Sequence, residues 1–128
     1  MIYLDTSVAL AALLSEPRRP AEDFWESEIV SSRLLTYELW TRVHARGLAK
    51  RLAEPVRALT DGLLLLELTD EVLARTLEPF PVAVRTLDGM HLASIDYLRG
   101  LGVQVELASF DARLLHAAQA MGFAVAEV

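Results

Sequence analysis

Apolar and polar positions along the chain alternate between short runs of strand length and longer stretches with helical spacing. Ile2–Leu4 is a β-like run, and Thr6–Leu14 follows as an Ala- and Leu-rich helix. Pro17 and Pro20 interrupt the pattern, after which Ala21–Glu28 reads as a short amphipathic helix anchored by Phe24 and Trp25. Ile29–Val30 predicts a second strand, and Ser31 or Ser32 stands where an N-cap belongs for a helix over Leu34–Arg46 that stops at Gly47. A helix over Ala49–Asp61 carries Pro55 at its first turn or at a kink. Leu63–Leu68 is short, apolar except for Glu67 and bounded by Gly62 and Thr69-Asp70, which predicts a buried strand. Helices over Glu71–Leu77 and Leu87–Arg99 flank Pro79 and Pro81, and Val103–Leu107 alternates around Gln104 and Glu106 as a strand should. Asp111–Met121 is helical and stops at Gly122, and Phe123–Val125 is a last short strand.

Strands separated by helices pair in parallel through right-handed crossovers, so the expected architecture is a three-layer α/β/α sandwich with a short, mostly parallel central sheet. Residues 1–128 form one domain, for no stretch has the composition of a linker and 128 residues with 53% hydrophobic content suffice for one core. The absence of Cys removes disulfides, thiolate metal sites and cysteine nucleophiles together. No apolar run approaches the roughly 20 residues of a membrane span. Asp5 interrupts the first apolar stretch and no basic region precedes it, so no secretory leader is expected and the cytoplasm is the expected compartment. Eighteen acidic residues against twelve basic ones give a net charge of -6, which at first sight argues against a polyanionic partner.

Chemistry in an open α/β sheet collects outside the carboxyl ends of the strands, where the next helices begin. Asp5 directly follows the first strand, Asp111 follows Val103–Leu107 and opens a helix, Asp88 opens the helix Leu87–Arg99, and Glu38 lies one turn into Leu34–Arg46. An acid near a helix start is also a common cap, as Thr69-Asp70 illustrates, so position alone does not separate a site from a cap. Helical geometry says more. From Asp88 the i+3, i+4 and i+7 positions are His91, Leu92 and Ile95, which puts Asp88 on an apolar stripe, and Glu38 falls between Leu34 and Leu35. A carboxylate held against a core is costly unless it is paired, hydrogen-bonded or bound to metal. Arg42, at i+4, offers Glu38 an ordinary ion pair, whereas Asp88 has no Lys or Arg at those spacings. Clustered carboxylates without Cys suit hard cations such as Mg²⁺ or Mn²⁺, and such ions support hydrolysis at phosphorus.

Four blocks of the chain, Tyr3-Leu4-Asp5-Thr6-Ser7, Tyr37-Glu38-Leu39, Arg85-Thr86-Leu87-Asp88-Gly89-Met90-His91-Leu92-Ala93 and Ser109-Phe110-Asp111-Ala112-Arg113-Leu114, resemble the signature blocks of PIN-domain nucleases, in particular VapC-type toxins of toxin–antitoxin pairs. The resemblance runs from Met1 to Val128 and keeps the order of the four acids. It implies a metal-dependent endoribonuclease in which Asp5, Glu38, Asp88 and Asp111 are the catalytic acids and ligate Mg²⁺ or Mn²⁺ or position water. Thr6 and Ser109 match the family's small hydroxyl positions beside the first and last acids. Gly89 stands where such proteins often have Ala, a change that loosens the helix start. The resemblance further implies an RNA substrate, a small cognate antitoxin protein and a homodimer, with no membrane association.

The remaining polar and aromatic residues bear on this picture unequally. His91 shares the Asp88 stripe and reads more simply as a satisfied core histidine than as a ligand, while His44 is expected to be exposed. Trp25 and Trp40 read as core or subunit-interface anchors. Eleven of the twelve basic residues are Arg, and Arg42, Arg46, Lys50, Arg51 and Arg57 gather just after Glu38. This is either a solvated helix face or a phosphate-steering patch, with Arg42 and Arg46 as its RNA-binding members. Phosphotransfer folds fit poorly, since Ser7 occupies the second acid of an Asp-x-Asp pair and the sole Lys, Lys50, lies in mid-chain. The alternative from another class is a non-catalytic binding module that keeps the metal site and a protein partner.

Overall fold

Tyr3 and Leu4 are adjacent and both fully buried, yet they enter different cores. Strand pleating is the reason, because successive side chains leave a strand on opposite faces. The computed structural model describes residues 1–128. Five strands form one sheet: β1 (Ile2–Leu4), β2 (Ile29–Ser32), β3 (Leu64–Leu66), β4 (Glu106–Ala108) and β5 (Ala124–Val125), in spatial order β3-β2-β1-β4-β5. Every pairing is parallel, with Tyr3 opposite Val30 on one side and Leu107 on the other. One face is covered by α1 (Thr6–Leu13), α2 (Leu34–Ala45) and α3 (Ala49–Asp61), which bury Val8, Leu35, Leu39, Val43, Leu52 and Val56 against Leu4, Ile29 and Ala108. The other face carries α5 (Thr86–Gly100) and α6 (Ala112–Ala120), which bury Leu92, Ile95, Leu98 and Leu114 against Tyr3, Val30 and Leu107. The short α4 (Asp70–Arg75) packs on α5. Each such Leu, Ile or Val buried contributes about 1.5–3 kcal/mol before the ordering cost is counted. The expected α/β/α sandwich is therefore present, with a sheet parallel throughout rather than mostly so.

The elements differ from expectation where neighbours, not local pattern, decide. β4 spans Glu106–Ala108 rather than Val103–Leu107, because β1 starts at Ile2 and Ile2 pairs with Glu106, so earlier residues have no strand beside them. β3, expected to be buried, forms a sheet edge instead, and Leu64 is 57% exposed. Ala21–Glu28 is not an α-helix; Glu22–Glu26 makes a 3-10 turn that still seats Phe24 in the core. Pro55 lies inside α3 rather than at its first turn. Neither candidate cap is the N-cap of α2, which is Arg33; Ser32, one residue earlier in β2, accepts the Leu34 N–H, and Ser31 donates to the Leu4 carbonyl inside the sheet. Thr69 caps α4, accepting from the Val72 N–H at 3.3 Å. No helix is long and apolar enough to cross a membrane.

The sheet order positions the site. From β1 the chain moves outward through β2 to β3, then returns to build β4 and β5 on the other side of β1. The strand order thus reverses between β1 and β4, and the crevice at their carboxyl ends is where such folds bind ligands.

Candidate functional site

Asp5 directly follows β1 and Asp111 follows β4 by three residues, and their local roles are alike. Asp5 is the N-cap of α1 and accepts from the Ser7 N–H; Asp111 is the N-cap of α6, and its Oδ1 accepts from the N–H groups of Arg113 and Leu114 at 2.9 and 3.4 Å. Capping satisfies helix-start amides that would otherwise be orphaned and places a carboxylate at the positive end of the helix dipole. Both acids are therefore caps and pocket residues at once. Asp5 is 6% exposed, and three bonds converge on its Oδ2, from the Ser7 N–H, from Ser7 Oγ at 2.5 Å and from Ser109 Oγ at 2.8 Å. The same two hydroxyls accept backbone N–H groups of the β4–α6 loop: Ser7 Oγ takes Phe110 and Ser109 Oγ takes Asp111, each at 2.9 Å. Two serines thus tie the end of β1 to the end of β4, and Asp5 Oδ1 is left without a protein donor.

Glu38 reaches the crevice from one turn into α2. Its Oε1 accepts from Thr6 Oγ1 at 3.0 Å and meets His91 Nε2 at 2.5 Å, and its side chain is 13% exposed. The ion pair with Arg42 suggested by their spacing does not form; the carboxylate meets His91 on α5 instead. His91 is 1% exposed, and its Nδ1 lies 2.8 Å from the Tyr3 hydroxyl. Burial pushes the Tyr3 phenol far above its ordinary pKa, so it keeps its proton.

Asp88, in the first turn of α5, accepts no hydrogen bond at all. Partial burial, then the charges of Asp111 and Asp5, raise its pKa, and nearby His91 and Arg85 only partly offset them. The four acids line one cavity of about 450 Å³ together with Thr6, Ser7, Arg42, Arg85 and Thr86. Arg42 and Arg85 border it without making a salt bridge to any acid. Arg46 is the C-cap residue of α2 and does not line the cavity.

No three His, Asp or Glu side chains approach closely enough to form a ready-made cage. The donor set nevertheless fits a hydrated hard cation. One carboxylate oxygen each on Asp5, Glu38 and Asp111 and both on Asp88 have no protein partner, and the mutual repulsion felt by Asp88 is what a cation relieves. Mg²⁺ keeps several waters and takes only one or two carboxylates directly, so a loose ring suits it.

Sequence reasoning brought all four acids to one place, but it set Ser109 beside the last acid, whereas the Ser109 hydroxyl donates to the first, Asp5, and reaches Asp111 only by accepting its backbone N–H. It assigned Thr6 to the first acid, whereas Thr6 donates to Glu38 and Ser7 holds Asp5. The signal for Ser7 was present, because a hydroxyl two residues after an Asp N-cap stands at the start of the helix it caps. His91, read as a satisfied core histidine, is one, but its partner is a pocket carboxylate.

Fold and crevice together define a doubly wound parallel α/β protein with an acidic pocket at its topological switch point. Residues 2–120 match the family model of the PIN domain, and the chain belongs to that family. Among curated proteins it is similar to Ribonuclease VapC47 of Mycobacterium tuberculosis, at 34% identity over 98% of this chain and 96% of the relative. Ribonuclease VapC35 of the same organism is 29% identical over 98% of this chain and 95% of the relative. Among solved structures, Mycobacterium tuberculosis VapC20, a Sarcin-Ricin loop cleaving toxin, superposes with a TM-score of 0.71 over 100% of both chains at 21% identity, a likeness of fold.

Proposed function

We propose that this protein is a metal-dependent endoribonuclease that acts as the toxin of a toxin–antitoxin pair, with Asp5, Glu38, Asp88 and Asp111 as its catalytic acids. The observation that carries the reading is the gathering of these four side chains, from residues 5 to 111, on one cavity at the switch point of the sheet. Similarity to proteins named ribonucleases along nearly the whole chain supports RNA as the substrate.

Asp5, Glu38, Asp88 and Asp111 would hold Mg²⁺ or Mn²⁺, which would supply an activated water and charge to balance the phosphate. The residues of the chain do the rest. Ser7 and Ser109 keep Asp5 fixed through its Oδ2, so its other oxygen faces the cavity at no reorganisation cost. Asp111 is held in the same way by the first amides of α6. Arg42 and Arg85, unpaired at the rim, meet the phosphates that flank the bond to be cut. A small antitoxin protein and a second copy of the chain are its expected partners.

Total RNA incubated with the native chain, with Asp5→Asn and with Asp88→Asn, in Mg²⁺, Mn²⁺ or chelator, tests this reading. Discrete products are expected from the native chain with metal and from no other combination. Equal cleavage by both variants removes the pocket from the mechanism, and no cleavage of any RNA favours a module that binds without turnover.

A further inference from the structure

Glu38 differs from the other acids of the pocket in one physical respect. Asp5 and Asp111 stand at helix N-termini and are fixed by backbone N–H groups that have no other use. Glu38 sits inside α2, where the amides are already spent on the helix, and its longer side chain has an extra rotatable bond to immobilise. Whatever fixes it must come from outside α2. Two groups do so, both on the same oxygen: Thr6 Oγ1 from α1 and His91 Nε2 from α5, leaving Oε2 to the cavity.

We infer that His91, braced by the Tyr3 hydroxyl, is a positioning residue that holds Glu38 in its working geometry, an assignment that rests on the pocket being the ribonuclease centre. The imidazole is fully occupied, with Tyr3 at Nδ1 and Glu38 at Nε2, and the Tyr3 and His91 rings meet edge to face at 5.8 Å and 81°. Tyr3 belongs to β1, the central strand, and its side chain is rigid in the core. A carboxylate only accepts, so a neutral imidazole in this position donates from Nε2 to Glu38 and accepts from the phenol at Nδ1. The order Tyr3, His91, Glu38 thus runs from the most rigid part of the molecule to the edge of the pocket. A histidine present only to fill this layer would be served as well by a backbone carbonyl partner; this one spans from β1 to α2 and ends on a pocket acid. His91 also lies one turn beyond Asp88 on α5, so the same helix that presents one acid steadies another.

A double-mutant cycle on the full chain separates positioning from general support of the fold. The variants are His91→Leu, His91→Gln, Tyr3→Phe and Glu38→Gln, alone and with Glu38→Gln combined with each of the others. Mn²⁺ binding by titration calorimetry, kcat and KM on RNA, and the melting temperature without metal are read for each. His91→Leu is expected to weaken Mn²⁺ binding or lower kcat by about 10- to 100-fold, the usual cost of losing a group that orients a ligand, with KM for RNA unchanged. His91→Gln, whose amide can donate to Glu38, should recover part of the loss. In the Glu38→Gln background the same changes should cost nothing further. Equal losses in both backgrounds, or none in either, overturn the assignment. Should His91→Leu fail to fold, Tyr3→Phe and His91→Gln carry the cycle, since both keep most of the volume. Mn²⁺ binding that follows the cycle in a chain that cuts no RNA sinks the ribonuclease reading but keeps the positioning role. A native chain that neither binds Mn²⁺ nor cuts RNA overturns both.

Discussion

Asp88 carries two carboxylate oxygens with no hydrogen-bond donor, beside two other acids, and this makes the pocket a local liability of the metal-free chain. Burial and the neighbouring charges raise its pKa, so the folded state binds the Asp88 proton more tightly than the unfolded chain does. Its contribution therefore favours folding in acid and is lost as pH rises through the elevated pKa. Metal-free Asp88→Asn should accordingly melt at a higher temperature than the native chain at pH 7, and the gain should shrink as pH falls into the carboxylate range. A native chain at least as stable as Asp88→Asn at neutral pH would show that the pocket is not electrostatically strained. Asp5, Asp88 and Asp111 were legible in the sequence because their evidence is local: a strand end, a helix start, an apolar stripe. The bond of Ser7 to Asp5 has a local signal too, but its bond to the Phe110 amide has none, because that amide lies 103 residues away in the chain.

Helices α1, α4 and α6 all begin with a hydrogen-bonding side chain at the cap, and nothing local distinguishes Thr69 from Asp5 or Asp111. What separates them is the strand that each follows. β3 is the edge of the sheet, so its carboxyl end faces no crevice, whereas β1 and β4 flank the switch point. The same dependence on neighbours explains why local pattern misplaces β3 and β4 in burial or length while it gives α2, α3 and α5 almost to the residue. Asp96 on α5 depends on a neighbour in the same way, meeting Arg75 as well as Arg99 at 2.8 Å and tying α4 to α5. The start of α5 holds a further consequence. A Cβ at Gly89 would meet Phe80 and Val84 at 3.6 Å, an ordinary contact, and the backbone there is helical. Gly89→Ala should therefore stabilise the protein by about 0.5–1 kcal/mol, read as a higher melting temperature, through the lower entropy of the unfolded chain. A drop in stability would mean that the Phe80 side of the helix needs the space.

The net charge of -6 says little about the surface that meets RNA, because four of the acids are gathered in one cavity whose rim carries Arg42 and Arg85. Arg42 is free of ion pairs, and Arg46 lies one turn further along α2. Replacing Arg42 and Arg46 together by Gln should weaken RNA binding at low salt and flatten its salt dependence by about 0.7 in log–log slope for each phosphate no longer neutralised. Identical binding curves at low and high salt would take the arginines out of the interface. The stitching of Asp5 to Ser109 has a consequence in time as well as in space. These partners are 104 residues apart, so Asp5 is made well before the hydroxyl that holds it, and is held only when β4 lies down beside β1. Contacts of such sequence separation form late, after the loop-closure entropy has been met. A chain made only as far as β3 therefore carries Asp5 and Glu38 without Asp88 and Asp111, and the pocket is completed only once β4 and the start of α6 have been made.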